Sequence, residues 1–365
     1  MHLGIVFNLY QPSVLDNETF SKIVESSYYP LLKLIKNSKN IGFTLNIPLS
    51  TSFLLKERGY GDFLKTVKDL TESEKVELTS CGAYYPLFST LPKELVEKQI
   101  ILNEFSLGYY FGKDKGFEGE DAILIKNING FYPPDLSIDN NLLQILESLN
   151  YKWVLVDEAN LLNTDSAASV FVLPEKNIKL VVPSKNLTSM VISKKTTDNL
   201  DIISRILATF ENQEEIVLNF DAQYFGFEFN DGIFLLDSIL ENLRQKGIRI
   251  TTISNILSKA GEEALPGLQS KSIDTSVIES FPKQFNTLLA TQAPLTNVSL
   301  PKESDITIDT LPVWDSQYVS KVKNAELGDK LLKNNLYMQC MSYSQIDPNL
   351  KDRYLKLYSE LGISA

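Results

Sequence analysis

Hydrophobic positions along this chain follow two rhythms. Short apolar or β-branched runs at residues 3–8, 42–47, 75–80, 122–128, 153–157, 178–182, 189–192, 215–221 and 248–251 predict strands. Several are apolar throughout, as in parallel strands covered on both faces. Between them lie stripes with a period near 3.6. Phe20, Ile23, Val24, Leu31, Leu34 and Ile35 predict a helix kinked or restarted at Pro30. The span 92–111 opens with a proline suited to a first helical turn and ends before Gly112, read as a left-handed cap. Ile233, Leu236, Ile239, Leu240 and Leu243 form another stripe, closed by Gly247. Strands alternating with helices predict a parallel sheet or barrel wrapped by helices.

The alternation stops near residue 256. Residues 1–255 are therefore read as the barrel, 256–312 as an irregular connecting segment rich in Ser, Thr, Pro and Asn, and 313–365 as helices packing on it. Residues 160–195 carry strand-like pieces around Val170 and Val181, read either as an insertion or as part of a binding rim.

Composition narrows the chemistry. A net charge of −11 argues against nucleic-acid or anionic-membrane partners. No stretch approaches the ~18 apolar residues of a membrane helix, and the apolar run 3–9 lacks the basic flank of a signal peptide. Two distant cysteines, Cys81 and Cys340, read as free thiols in a reducing compartment, so a cytoplasmic location is expected. The chain has one histidine, His2. A Ser-His-Asp triad, a Cys-His pair or a histidine-ligated metal cannot be built from this chain alone. No cofactor or metal is expected, and carboxylates, tyrosines, lysines and backbone groups remain.

In parallel barrels the functional groups gather at the C-terminal ends of the strands. Here those ends supply Asn8, Tyr10, Gln11 and Pro12, then Asn46, then residues 80–86, then Tyr132 to Asp135, then Asp157 and Glu158, and finally residues 221–226. Carboxylates, aromatic rings and amides in such density suit a sugar, whose faces stack and whose hydroxyls need fixing.

The same segments resemble the motifs of glycoside hydrolase family 57, enzymes acting on α-glucans. Tyr10-Gln11-Pro12 is similar to the end of the first motif, and the run from Val76 to Leu87, containing Cys81-Gly82-Ala83-Tyr84-Tyr85-Pro86, to the second. Gly130-Phe131-Tyr132-Pro133-Pro134-Asp135 resembles the third, which normally ends in the nucleophilic glutamate. Phe220-Asp221-Ala222-Gln223-Tyr224-Phe225-Gly226 resembles the fourth, whose aspartate is the general acid/base. Leu311-Pro312-Val313-Trp314 echoes a segment preceding the family's C-terminal helices. The resemblance implies a (β/α)7-type distorted parallel barrel with a C-terminal mainly helical extension. Its implied ligand is an α-glucan or maltooligosaccharide. Asn8, Tyr85 and Phe227 stand where the family has histidines, Asp135 where it has glutamate, and Gln223 where it has a second acidic residue.

Asp135 and Asp221 are thus the candidate catalytic pair. Retaining glycosidases hold two carboxyls ~5–5.5 Å apart and inverting ones ~6.5–9.5 Å; the shorter Asp135 shifts the pair toward the wider spacing. Asp135 could instead bond a ligand or cap the helix starting near Ile138, and Asp221 could make a structural hydrogen bond to a neighbouring loop. Asn8, Tyr10, Gln11, Tyr84, Tyr85, Tyr132, Glu158, Tyr224 and Trp314 are the candidate substrate-binding residues. For the tyrosines the alternative is half-buried packing, for Gln11 a purely local bond, and for Trp314 a core anchor. Of adjacent Asp157 and Glu158, at most one points into a barrel mouth. Cys81, without a histidine to activate it, reads as inert. Three functions compete: an active glucan hydrolase or 4-α-glucanotransferase, a degenerate relative that binds glucan without cleaving it, and a polysaccharide deacetylase. The last needs two metal-binding histidines, which the chain lacks.

Overall fold

The computed structural model describes residues 1–11, 15–85, 88, 93–112, 128–161, 168–173, 176–193, 199–259 and 263–264, which belong to one compact unit spanning Met1–Gln11 and Leu15–Lys271. The predicted helices of 313–365, nearly all of the connecting segment and the predicted strand at 122–127 lie outside the described residues.

Strand β1 (His2–Asn8) is central. It pairs along its whole length with β8 (Glu215–Asp221) and at its end with β2 (Phe43–Asn46), which pairs with β3 (Val76–Thr79), all in parallel. A second sheet joins β4 (Gly130–Phe131), β5 (Trp153–Leu155) and β7 (Lys179–Val181) in parallel, with β6 (Val170–Val172) antiparallel to β7. The sheets meet at two seams. A parallel bridge links Ser80 to Phe131, and the Ser184 N–H donates to the Val217 carbonyl at 2.8 Å. Among the described residues, β8, β1, β2, β3, β4, β5 and β7 therefore follow one another in parallel as an open ring, with a single hydrogen bond between the β7 end and β8. β9 (Arg249–Thr251) shares the first residues of β1, and β10 (Glu263–Ala264) pairs with β6.

The helices follow from the apolar stripes. α1 (Asn17–Ile23) is capped by Asp16 and runs through a π turn, Val24–Tyr28, into α2 (Tyr29–Asn37), whose first turn holds Pro30. Proline has no N–H to give the carbonyl four residues back, so the helix widens, and Tyr29 N–H bonds Val24 O instead. α3 (Leu49–Glu57) and α4 (Gly61–Glu72) follow β2, and α5 (Lys93–Phe111) follows β3. α6 (Asn140–Ser148), α7 (Lys185–Ile192), α8 (Asn199–Phe210), α9 (Gly232–Gln245) and the short α10 (Ile253–Leu257) complete the set.

Two local expectations fail. Residues 189–192, expected as a strand, belong to α7: Ser184 caps it through the Leu187 N–H, and Leu187 and Val191 bury one face at helical spacing. A four-residue run with two β-branched residues, Val191 and Ile192, yields to a cap and an i, i+4 apolar pair. Gly112 is not left-handed, and its N–H simply continues the helical pattern to Gly108 O at 3.0 Å. Gly247 does take the left-handed conformation, with φ of 81°.

Side chains on alternate residues of each strand point into the ring. Val6, Cys81, Tyr132, Trp153, Leu155 and Val217 pack there, closed from the N-terminal end by Ile253 and Ile256 of α10. A Cβ on Gly4 would lie 2.7 Å from the Cδ1 atoms of both isoleucines. With no side chain on β1 at that position, both isoleucine side chains reach the strand without displacement.

Candidate functional site

The last residues of four neighbouring strands form one row. Asp221 pairs with Asn8, Asn8 with Asn46, and Asn46 with Thr79. Residues paired in parallel strands point to the same face, so four polar side chains line the C-terminal edge of the ring. They are hydrogen-bonded in series. Thr79 Oγ1 donates to Asn46 Oδ1 at 3.3 Å, and Asn46 Nδ2 to Asn8 Oδ1 at 2.9 Å. Asn8 Nδ2 donates to Asp221 Oδ1 at 2.9 Å. Asn46 and Thr79 are buried and Asp221 is exposed, so the row runs from the interior to water. Asn46 is among the strand ends picked out in the sequence but not among the candidate binding residues, and Thr79 is in neither set. The available signal was the polar residue closing each apolar strand.

Asn8 Nδ2 also reaches the Tyr85 hydroxyl at 3.2 Å, and Asn8 Oδ1 accepts the Tyr10 N–H at 3.3 Å. The Tyr10 and Tyr85 rings stack at 4.1 Å with their planes 14° apart, and Tyr132 lies 6.4 Å beyond Tyr85. Tyr85 has φ of 57° and Leu136, in the next strand's loop, 52°. A bulky side chain in that region is strained by about 1–3 kcal/mol, and both residues pack onto the barrel-interior cluster. Tyr132 is buried, and its hydroxyl accepts from Asn219 Nδ2 at 3.0 Å, one inward-facing layer below Asp221.

Gln11 is 3% exposed, and its amide is committed internally. Nε2 donates to the Tyr28 hydroxyl at 3.0 Å and to Gln223 Oε1 at 2.6 Å, partners distant in the chain and not the purely local bond weighed as the alternative. Tyr28 in turn donates to Leu9 O at 3.0 Å, and burial raises its hydroxyl above the ordinary tyrosine range. Tyr84 is buried, with its hydroxyl likewise raised by burial. Tyr224 is buried too and turns away from the mouth, donating to Ile192 O at 2.7 Å. Glu158 is exposed, and Asp157 caps a single turn through the Ala159 N–H at 2.8 Å.

Asp135 belongs to the 3-10 turn Pro134–Leu136; its side chain and Trp314 lie outside what is described. The cap of the following helix is Asp139, whose Oδ1 accepts the Leu142 N–H at 2.8 Å, not Asp135. Cys81 is fully buried, and burial pushes its thiol well above the ordinary range, away from thiolate chemistry. His2 starts β1, six residues and roughly 20 Å from the row that ends it. Burial and the adjacent N-terminal charge lower its pKa. Among the described residues no three His, Cys, Asp or Glu side chains converge as a metal site would require, and no helix is long and apolar enough to cross a membrane.

Residues 6–269, well over half of the chain, match glycosyl hydrolase family 57. The chain belongs to that family. No curated protein matches it in sequence. Among solved structures it is similar to a GH57-type branching enzyme from Pyrococcus horikoshii, with a TM-score of 0.66 at 14% identity over 97% of this chain and 88% of that one. An α-amylase from Thermotoga maritima superposes with a TM-score of 0.61 at 12% identity, over 97% of this chain and 96% of that one. A 4-α-glucanotransferase from Thermococcus litoralis does so at 0.59 and 16% identity over 79% of this chain; the match spans only 44% of that longer enzyme. At these identities the likeness is one of fold. It agrees with the open ring of seven parallel strands and the expected (β/α)7 barrel.

Proposed function

We propose that this family 57 protein binds an α-glucan or maltooligosaccharide at the barrel mouth, with hydrolysis weak or lost. The observation that carries the reading is the position of Asn8. Its amide donates to both the Asp221 carboxylate and the Tyr85 hydroxyl. Where the family has a histidine, which can carry or pass a proton, the Asn8 amide offers Asp221 and Tyr85 only neutral hydrogen bonds. The stacked Tyr10 and Tyr85 rings beside them supply an aromatic face for a sugar, with the exposed Asp221 at hand for its hydroxyls.

The second reading, an active hydrolase or 4-α-glucanotransferase using Asp135 and Asp221, draws on the exposure of Asp221 at the open end of β8. One pair of measurements separates the two. Binding without cleavage predicts retarded migration in native gels containing glycogen, relieved by Tyr10→Ala, and no reducing ends released from maltoheptaose. Reducing ends released by the wild type and abolished by both Asp135→Ala and Asp221→Ala would establish the active reading instead. Free migration in glycogen, with no thermal shift on adding maltoheptaose, would sink the binding reading.

A further inference from the structure

The loop that follows Asp221 has a second side. Behind the barrel mouth it walls a cavity of about 430 Å³ between the end of α7 and the beginnings of α8 and α9. That size falls within the ~300–1,000 Å³ of small-molecule sites. Three aromatic residues line it, Tyr224, Phe229 and Phe234, together with Ser193, Asn199 and Asp231. The Tyr224 hydroxyl is tied to Ile192 O, and its ring sits 6.0 Å from that of Phe229, so this wall is fixed. Phe234 differs. It stands on the first turn of α9 and is 75% exposed, while Leu235 and Leu236 beside it are buried. Its phenyl ring stands largely exposed at the lip of the cavity.

The polar lining narrows what could cover it. The Asp231 carboxylate, the Asn199 amide and the Ser193 hydroxyl offer donors and acceptors beside the apolar wall. A phosphate or carboxylate ligand would meet the Asp231 carboxylate in a chain of net charge −11. A neutral ring with apolar faces and a hydroxyl edge meets both halves of the lining.

We infer that this cavity is a second α-glucan-binding site, separate from the barrel mouth. Phe234 supplies the stacking face, and Asn199 and Asp231 the hydroxyl partners. The inference rests on the α-glucan reading above for its ligand class, and goes beyond it in placing a glucosyl unit on the outer side of the Asp221 loop. Two sites flanking one loop would let a branched polymer engage both, and the second contact would add avidity without new chemistry.

The test uses the full chain in native gels with graded glycogen, comparing wild type with Phe234→Ala, Asn199→Ala and Tyr10→Ala. Because Phe234 is exposed, Phe234→Ala should keep the wild-type melting temperature. It should nonetheless raise the apparent Kd for glycogen about fivefold or more, from lost stacking and lost avidity. Asn199→Ala should weaken binding in the same direction. Wild-type retardation in Phe234→Ala overturns the second site and leaves the mouth reading standing. Loss in Phe234→Ala with none in Tyr10→Ala supports the second site and removes the mouth as a binding surface. A wild type that glycogen does not retard overturns both.

Discussion

At the scale of single residues, the site is organised by an asparagine. Asn8 is 6% exposed and joins Asn46, Asp221, Tyr85 and the Tyr10 backbone through its one amide. Removing such a side chain strands its partners: a buried donor left without an acceptor costs about 1–3 kcal/mol. Asn8→Ala should therefore lower the unfolding free energy in urea by about that amount. Asn46→Ala should do the same, and the double variant should lose less than the sum, with a coupling of about 0.5–3 kcal/mol. Strict additivity would mean that the row is four independent side chains and not a network. Sequence alone placed Asn8, Tyr10, Tyr85 and Asp221 together at one end of the barrel, because each closes or follows a predicted strand. It did not reveal the network, because that depends on register: Asn46 and Thr79 become neighbours of Asn8 only when three strands end level. Nor did it show that Gln11 and Tyr224 spend their polar groups inside the fold, since their partners lie 212 and 32 residues away in the chain.

At the scale of elements, the π turn in the first helix decides how the Asp221 loop sits. Pro30 cannot donate to Ser26 O, and that freed carbonyl faces Gly226, where a Cβ would lie 1.8 Å from it. Gly226 has φ of 120°, so both its conformation and the space exclude a side chain. The next residue of the turn, Ser27, is fully buried and bonds the same loop twice, donating to Gln223 O at 3.1 Å and accepting the Phe227 N–H at 2.8 Å. The π turn, often a mark of functional segments, here docks the β8 loop onto the first helix. Ser27→Ala should cost about 1–2 kcal/mol of global stability. Hydrogen exchange at the Phe227 amide should accelerate by roughly tenfold or more, through local opening of the loop. Unchanged exchange at Phe227 would show that the loop is held from elsewhere. A kink at Pro30 was legible from the chain; its purpose was not, because the partner loop lies 200 residues away. The long strands were legible for the opposite reason, since β1 and β8 are apolar enough to be strands whatever surrounds them. The run at 189–192 misled because two β-branched residues, Val191 and Ile192, carry too little signal to outweigh the Ser184 cap.

At the scale of the whole molecule, the barrel has two differently built ends. The mouth is the polar row; the floor is α10, pressed against Gly4 and held by one carboxylate. Glu77 points inward from β3 and accepts from the Ser254 N–H at 3.0 Å, from Ser254 Oγ and from Thr44 Oγ1 at 3.3 Å. It ties the plugging helix to the sheet, and through Thr44 to the Ile253 N–H. Burial raises its pKa above the ordinary 4.5, and the hydrogen bonds from Ser254, Thr44 and Trp153 offset only part of that rise. A carboxyl whose folded pKa is raised stabilises the fold most below its unfolded value, and that contribution drains away as pH rises through the folded value. Glu104, buried beside the Tyr151 hydroxyl, is shifted the same way, so the comparison must isolate Glu77. Unfolding free energies of wild type and Glu77→Gln, measured in urea at steps from pH 4 to pH 8, supply it. The advantage of wild type over the variant should be greatest at the acid end and shrink as pH rises past 4.5. A difference that instead grows with pH would mean that the donors outweigh burial and hold Glu77 ionised. The floor of this barrel would then rest on a charge rather than on a neutral hydrogen-bonded acid.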